Sequence, residues 1–278
     1  MKGHTQNGAK RWLGTPPLAI QPAEFAKLAV ILAMAASLAK RVPWRRVRTR
    51  GIGQYLERVA APKLERLGPL GILAIFFILI EREKDMGTGA VVAITGIVMF
   101  FLAGITVWSR VGLIALVLMG GAFFARKEPY RMERLMSHFS RWQADKVDDD
   151  GFQTTQAELA MASGGAVGVG VGNGRAKHII PAATTDYILV TMAEETGLIG
   201  PLVALALVAA MVARLLWLAR AARDRFASFA LIGIGVWLTV QACTNMMMAN
   251  ATVPSIGIPF PFLSSGGSSL LALWLAVG

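Results

Sequence analysis

Long apolar runs alternate with short polar stretches along this chain, and the runs have the length of helices rather than strands. A spanning helix needs about 20 mostly apolar residues, fewer when its ends snorkel. Runs of that character cover Leu18–Ala39, Leu67–Ile80, Met86–Trp108, Val111–Ala125, Leu198–Ala219 and Phe226–Met248, and a last one runs from Ser268 to Gly278. The second and fourth are short and read as tilted spans or as runs that extend into their flanks. The last holds eleven residues, about half a crossing. The pattern predicts an all-α integral membrane protein, a polytopic helix bundle with about seven spanning segments. It forms a single transmembrane domain over residues 1–278, with a large external loop at 127–197 and a basic cytoplasmic loop at 40–66.

Composition agrees with the pattern. Of 278 residues, 55% are apolar and 16% charged, against roughly 25% charged in an average soluble domain. The net charge of +11 would suggest nucleic acid in a soluble protein. Here Lys and Arg collect between apolar runs, where they orient a membrane protein, and no nucleic-acid partner is needed. One cysteine, Cys243, excludes a disulfide framework and a Cys-based zinc site.

The segment Lys40–Arg66 carries nine basic residues against Glu57 and Glu65, a net of +7, and is expected on the cytoplasmic side. Alternation then puts Glu81–Asp85 outside, Ser109 and Arg110 inside, and the long loop outside. Arg220, Arg223 and Arg225 fall inside, as the charge rule prefers. Seven basic and eight acidic residues between Lys127 and Asp186 leave that loop near neutral, which suits an external position.

Ionisable groups at membrane depth are costly and usually functional. Glu24 and Lys27 in the first run are spaced i, i+3, so both lie on one helix face and can pair. They read either as a structural ion pair near the interface or as a polar site open to the outer side. Pro22 suits the first turn of that helix, with Gln21 near its cap. The cluster Glu81–Asp85 reads as a solvated turn, with Asp85 closest to the next helix.

Six glycines fall within eleven positions, from Gly164 to Gly174, followed by Arg175, Lys177 and His178. Their alternate spacing never gives G-x-G-x-x-G and lacks a strand–turn–helix context, so the run does not point to nucleotide binding. A flexible external loop with two cations could instead hold a lipid-linked pyrophosphate. His178 has no second ligand at metal spacing. Asp186 lies where the apolar pattern resumes; a lone carboxylate at such a junction is more often an N-cap than a catalyst. The segment Ile258–Ser269, with Pro259, Pro261, Gly266 and Gly267, predicts a re-entrant or rigid external turn. Ser264 there has no base nearby and is a poor nucleophile candidate.

Several of these segments together resemble one family. Ile20–Lys27 is similar to the iQPSExxK signature of the SEDS proteins (FtsW, RodA and SpoVE), and Asn7–Trp12 to the NGAxRW before it. Lys84–Thr88 resembles QPDLGT with its Gln-Pro replaced; Tyr130, Arg131 and Arg134 match YRxxR. Gly151–Gln153 with the glycine run resembles GyQ…sGG…GxGxGxG, Asp186–Tyr187 tDF, Glu194–Gly197 EElG, and Pro259–Ser269 PLPFiSyGGSS. The matches run in family order over nearly the whole chain. Three departures stand out: Ala182 and Thr184 replace the Glu and His of LPExHTDF, and Ser265 replaces the Tyr of SyGG.

The resemblance implies a ten-helix fold, of which this chain holds roughly the fourth to tenth helices, and peptidoglycan glycosyltransferase activity on lipid II. It implies Asp186 as the catalytic carboxylate, with Glu24 and Lys27 as the signature pair that holds it or, for Lys27, faces the pyrophosphate. Arg11, Arg175 and Lys177 are candidate phosphate contacts, and Gln153, Ser264, Gly266 and Gly267 further substrate-binding positions. No metal site and no cofactor is read, and a divalent cation stays open. The resemblance also implies a bacterial cytoplasmic membrane protein with its active site on the external face. Its implied partners are a class B penicillin-binding protein and other divisome or elongasome membrane proteins. The rival functions are a transporter of lipid-linked precursor and a non-catalytic scaffold for a transpeptidase.

Overall fold

The computed structural model describes residues 3–6, 9–14, 20–40, 61–83, 85–103, 115, 129–143 and 151–278. The predicted span Val111–Ala125, Ser109, Arg110 and most of the basic loop lie outside these residues or touch them only at single positions. The chain packs as two compact units, one formed by residues 1–104 and 214–237, the other by 105–213 and 238–278.

In the first unit a short antiparallel hairpin, β1 (Gly3–Gln6) and β2 (Ala9–Leu13), leads to α1 (Pro22–Ala39), followed by α2 (Ala61–Arg82) and α3 (Met86–Leu102). Gln21 is extended at the head of α1, and Pro22 opens the helix, where its missing N–H has no intrahelical partner to lose. The three helices pack pairwise. Val30, Ile31, Met34 and Leu38 of α1 are buried with Leu73 and Ile80 of α2 and Val91, Val92 and Met99 of α3. These segments fall on the predicted runs, except that α2 begins earlier and continues through Pro69.

The second unit contains α4 (Pro129–Phe139), α5 (Phe152–Gly164), the single turn α6 (Ala176–Ile179), α7 (Ile188–Thr196) and α10 (Gly267–Val277). Two long helices, α8 (Ile199–Ala221) and α9 (Arg225–Ala249), carry residues of both units. The loop expected to be external is therefore largely folded over its described residues, and α5 packs directly on α7.

By length and apolar composition α1, α8 and α9 can each cross a membrane, and three shorter apolar helices lie at Gly68–Ile80, Gly87–Leu102 and Gly267–Val277. Leu202, Val203 and Leu207 on α8, and Trp274 and Leu275 on α10, are exposed. Such apolar surface is what a bilayer covers. Apart from the β1–β2 hairpin the described elements are helices, and the protein is a helical membrane protein.

Candidate functional site

The Asp186 carboxylate is presented by a turn that three backbone donors close. Ala182 sits in the left-handed region at φ 59°, and its carbonyl accepts from the N–H groups of Thr185 (3.1 Å), Asp186 (3.0 Å) and Tyr187 (3.3 Å). Tyr187, 1% exposed, anchors the far side of the turn and occupies the N-cap position of α7. The N-cap position that the sequence suggested for Asp186 is thus held by Tyr187, whose side chain makes no capping bond. Asp186 itself is half-buried.

The segment between α9 and α10 docks on the same turn. The Ser264 hydroxyl donates to the Thr185 carbonyl (2.5 Å) and accepts from the Phe260 N–H (2.8 Å). Ser265 donates to the Thr184 carbonyl through both its N–H and its hydroxyl, each at 3.0 Å. Gly257, at φ +75°, lies so close that a Cβ there would come 3.5 Å from Asp186 Oδ2. That distance is an ordinary contact, so it is the left-handed backbone conformation that calls for glycine here.

Beneath this segment two amides of α9 reach up. Asn245 Nδ2 donates to the carbonyls of Asp186 and Ile258, each at 2.7 Å, and Gln241 Nε2 donates to the Pro259 carbonyl at 2.8 Å. Both residues are 0% exposed. Neither side chain ionises, so charge does not mark them in the sequence; their signal is two amides spaced i, i+4 inside an apolar run.

The glycine run packs on the end of α7. Val169 and Gly170 donate to the Glu194 and Glu195 carbonyls at 2.9 and 3.0 Å, and Leu198 to the Gly165 carbonyl at 3.1 Å. The Glu194 carboxylate accepts from the N–H groups of Arg175 (3.0 Å) and Ala176 (2.8 Å) at the start of α6. Lys177 Nζ donates to Glu195 Oε1 (2.7 Å) and to the Gly172 carbonyl (2.8 Å). That ammonium, with backbone N–H donors at Gly172 and Gly174, holds the Glu195 carboxyl below its ordinary value. Lys177 therefore fastens this loop, whereas Arg175 has an exposed side chain. The run expected to be a flexible cradle is a tied-down one. Gln153 is half-buried in the first turn of α5, Gly266 is the extended N-cap of α10 and Gly267 its first residue.

In the first unit, Lys27 Nζ lies 2.8 Å from both carboxylate oxygens of Glu24, with side chains 3% and 5% exposed, and 5.3 Å from the centre of the Trp237 ring. The predicted pair forms and is buried. Arg11 belongs to β2. Asp85 caps α3: its Oδ1 accepts from the Thr88 N–H at 3.0 Å and its Oδ2 from the Thr88 hydroxyl at 3.1 Å and from Gln21 Nε2 at 2.9 Å. It is 8% exposed, so the turn is buried there rather than solvated. Among the described residues no group of three His, Cys, Asp or Glu side chains could hold a metal ion.

Comparison with known proteins places this geometry. The family model described as "Cell cycle protein", which covers FtsW, RodA and SpoVE, matches residues 1–278. The chain belongs to that family. It is 35% identical over 277 residues to a probable peptidoglycan glycosyltransferase FtsW of Geobacter sp. (strain M18), covering 99% of this chain and 71% of the relative. It is 34% identical over 277 residues to stage V sporulation protein E of Bacillus subtilis (strain 168), again over 99% and 71%. Against the SEDS relatives the chain spans between 64% and 71% of their length. Among solved structures it superposes on a chain of a peptidoglycan synthase complex described as coordinating polymerization and crosslinking. The TM-score is 0.70 at 28% identity, over 99% of this chain and 73% of the other. It also superposes on rod shape determining protein RodA of Thermus thermophilus, with a TM-score of 0.58 at 27% identity, over 99% and 69%.

Proposed function

We infer that this protein is a peptidoglycan glycosyltransferase, and we propose that it polymerises lipid II at the outer face of the bacterial cytoplasmic membrane with Asp186 as general base. Asp186 takes the proton from the acceptor sugar hydroxyl. The oxygen so activated attacks the anomeric carbon of the donor, the bond from that carbon to the pyrophosphate oxygen breaks, and undecaprenyl pyrophosphate leaves with the electron pair. The observation that carries this reading is the placement of Asp186. It is half-buried just before α7, in a turn held by Ser264, Ser265 and Asn245, and its Oδ2 lies beside Gly257.

Glu24 and Lys27 enter the proposal as the buried charged pair of the first unit, with the Lys27 ammonium, which has three N–H donors, as an alternative partner of the pyrophosphate. Arg175, exposed at the start of α6, is the stronger phosphate candidate beside Lys177, which is already engaged. A class B penicillin-binding protein is the proposed partner; the likeness to a synthase complex that couples polymerization and crosslinking supports it. No cofactor is invoked.

The test is polymerisation of labelled lipid II by the purified protein with a class B partner, beside Asp186→Ala and Asp186→Asn. Glycan ladders from the parent protein and none from either variant are expected. Ladders of parental length from Asp186→Asn would sink the general-base assignment. A parent protein that moves lipid II between leaflets and makes no polymer would turn the reading to a transporter.

A further inference from the structure

The reading of Asp186 as base leaves open what holds its backbone, and the geometry points to one side chain. Asn245 lies on α9, fifty-nine residues away in sequence, and its Nδ2 donates at 2.7 Å to the Asp186 carbonyl and at 2.7 Å to the Ile258 carbonyl. Both atoms within reach are carbonyl oxygens, which only accept, so the NH2 end of the amide must face them. An amide nitrogen has two N–H groups, and here each has its own acceptor. One side chain thereby joins the turn that carries the carboxylate to the segment that borders it at Gly257, next to Ile258. Gln241, one turn earlier on the same face, ties the adjacent Pro259 carbonyl at 2.8 Å.

We propose that Asn245 is the positioning residue of Asp186. It touches no substrate in this proposal and acts by fixing where the carboxylate stands relative to the Gly257 border. The proposal rests on the general-base reading of Asp186. Asn245 is 0% exposed, and its two N–H groups are engaged while its Oδ1 has no partner among the described residues, so these two bonds are what its amide contributes. Losing its donors removes one bond from each of these carbonyls and loosens the turn on its inner side. Ser264 and Ser265 still hold Thr185 and Thr184 from the other side, so the turn persists but its last residue is free to shift. A misplacement of about 1 Å at a reacting group costs on the order of 100-fold in rate.

The experiment measures lipid II polymerisation by the whole protein with its class B partner for the parent, Asn245→Ala, Asn245→Asp and Asp186→Ala. For Asn245→Ala we expect kcat to fall by about 10- to 100-fold while the KM for lipid II stays within about twofold. Asn245→Asp keeps the shape of the side chain and can donate only when its carboxyl is protonated. Its kcat relative to the parent should therefore rise as the pH is lowered from about 8 to about 6, a trend that Asn245→Ala must not show. Should Asn245→Ala fail to accumulate, the pH trend of Asn245→Asp decides alone. Parental kcat in Asn245→Ala, a loss confined to KM, or an Asn245→Asp ratio flat with pH would each overturn the proposal. Full activity of Asp186→Ala would overturn the general-base reading instead, so the two failures are distinguishable.

Discussion

Gln21 Nε2 donates a 2.9 Å hydrogen bond to Asp85 Oδ2, joining two polar motifs sixty-four residues apart at the heads of α1 and α3. The same carboxylate caps α3 through Thr88, so one side chain satisfies a helix terminus and fastens a neighbouring helix.

Asp85→Ala should accordingly cost more than a cap alone. Loss of the cap is worth about 1 kcal/mol, and a buried hydrogen bond to a charged group about 1.5–3 kcal/mol. Asp85→Asn retains an acceptor for the Thr88 N–H and can still pair with Gln21 if one amide turns over. Thermal unfolding in detergent should rank the parent first, then Asp85→Asn, then Asp85→Ala. An Asp85→Ala protein that melts with the parent would show that this junction contributes nothing to stability.

Ser264 offers a sharper division between structure and substrate contact. Its hydroxyl bridges the Phe260 N–H and the Thr185 carbonyl, and it is 3% exposed. Ser264→Ala should destabilise by about 1–3 kcal/mol and lower kcat, with little change in the KM for lipid II. Ser265→Ala keeps the backbone bond to Thr184 and should cost well under half of that. A Ser264→Ala protein with normal melting and a raised KM would make Ser264 a substrate contact.

Hydropathy alone located α1, α8 and α9 to within a few residues, and the start of α3, because a run long enough to cross a bilayer has few competing structures. The Glu24–Lys27 pair was legible for a related reason: i, i+3 spacing within one helix needs no tertiary information. The glycine run was not legible. Its conformation depends on the α7 carbonyls it packs against, and nothing in its own spacing encodes them. Asn245 and Gln241 escaped because an uncharged amide scarcely disturbs an apolar run, whereas its acceptors lie at Asp186, Ile258 and Pro259.

The Lys177–Glu195 bond gives the glycine loop a defined response to acid. Glu195 is held below its ordinary value of 4.5, first by the hydrogen bond from Lys177 and then by that from Gly172. A carboxyl whose folded value is depressed stabilises the fold fully above the ordinary value, and the contribution is lost as pH falls through the folded one. The loop should be unaffected by pH near neutrality and loosen below about 4.5. Hydrogen exchange over residues 165–174, corrected for the intrinsic pH dependence of exchange, should show this in the parent. Glu195→Gln should remove the acid step, and an unchanged step in that variant would assign it to another group.

Gly168 and Gly172 separate two requirements that glycines usually combine. Their φ angles are nearly equal, +89° and +88°, so alanine carries the same backbone strain at either, about 1–3 kcal/mol. Their surroundings differ. A Cβ at Gly172 meets nothing within 4 Å, whereas one at Gly168 collides with the Glu195 carbonyl and with Gly197 N at 2.6 Å, both backbone. Backbone cannot rotate away as a side-chain tip can, so Gly168→Ala must push the loop off α7 and break the Val169 and Gly170 bonds to the helix end. The melting temperature should drop modestly in Gly172→Ala and much further in Gly168→Ala. The difference between them measures the loop's seat on α7. Because α7 begins two residues after Asp186, Gly168→Ala should also lose polymerase activity that Gly172→Ala keeps. Equal melting of the two variants would mean that the loop does not pack on α7 as described.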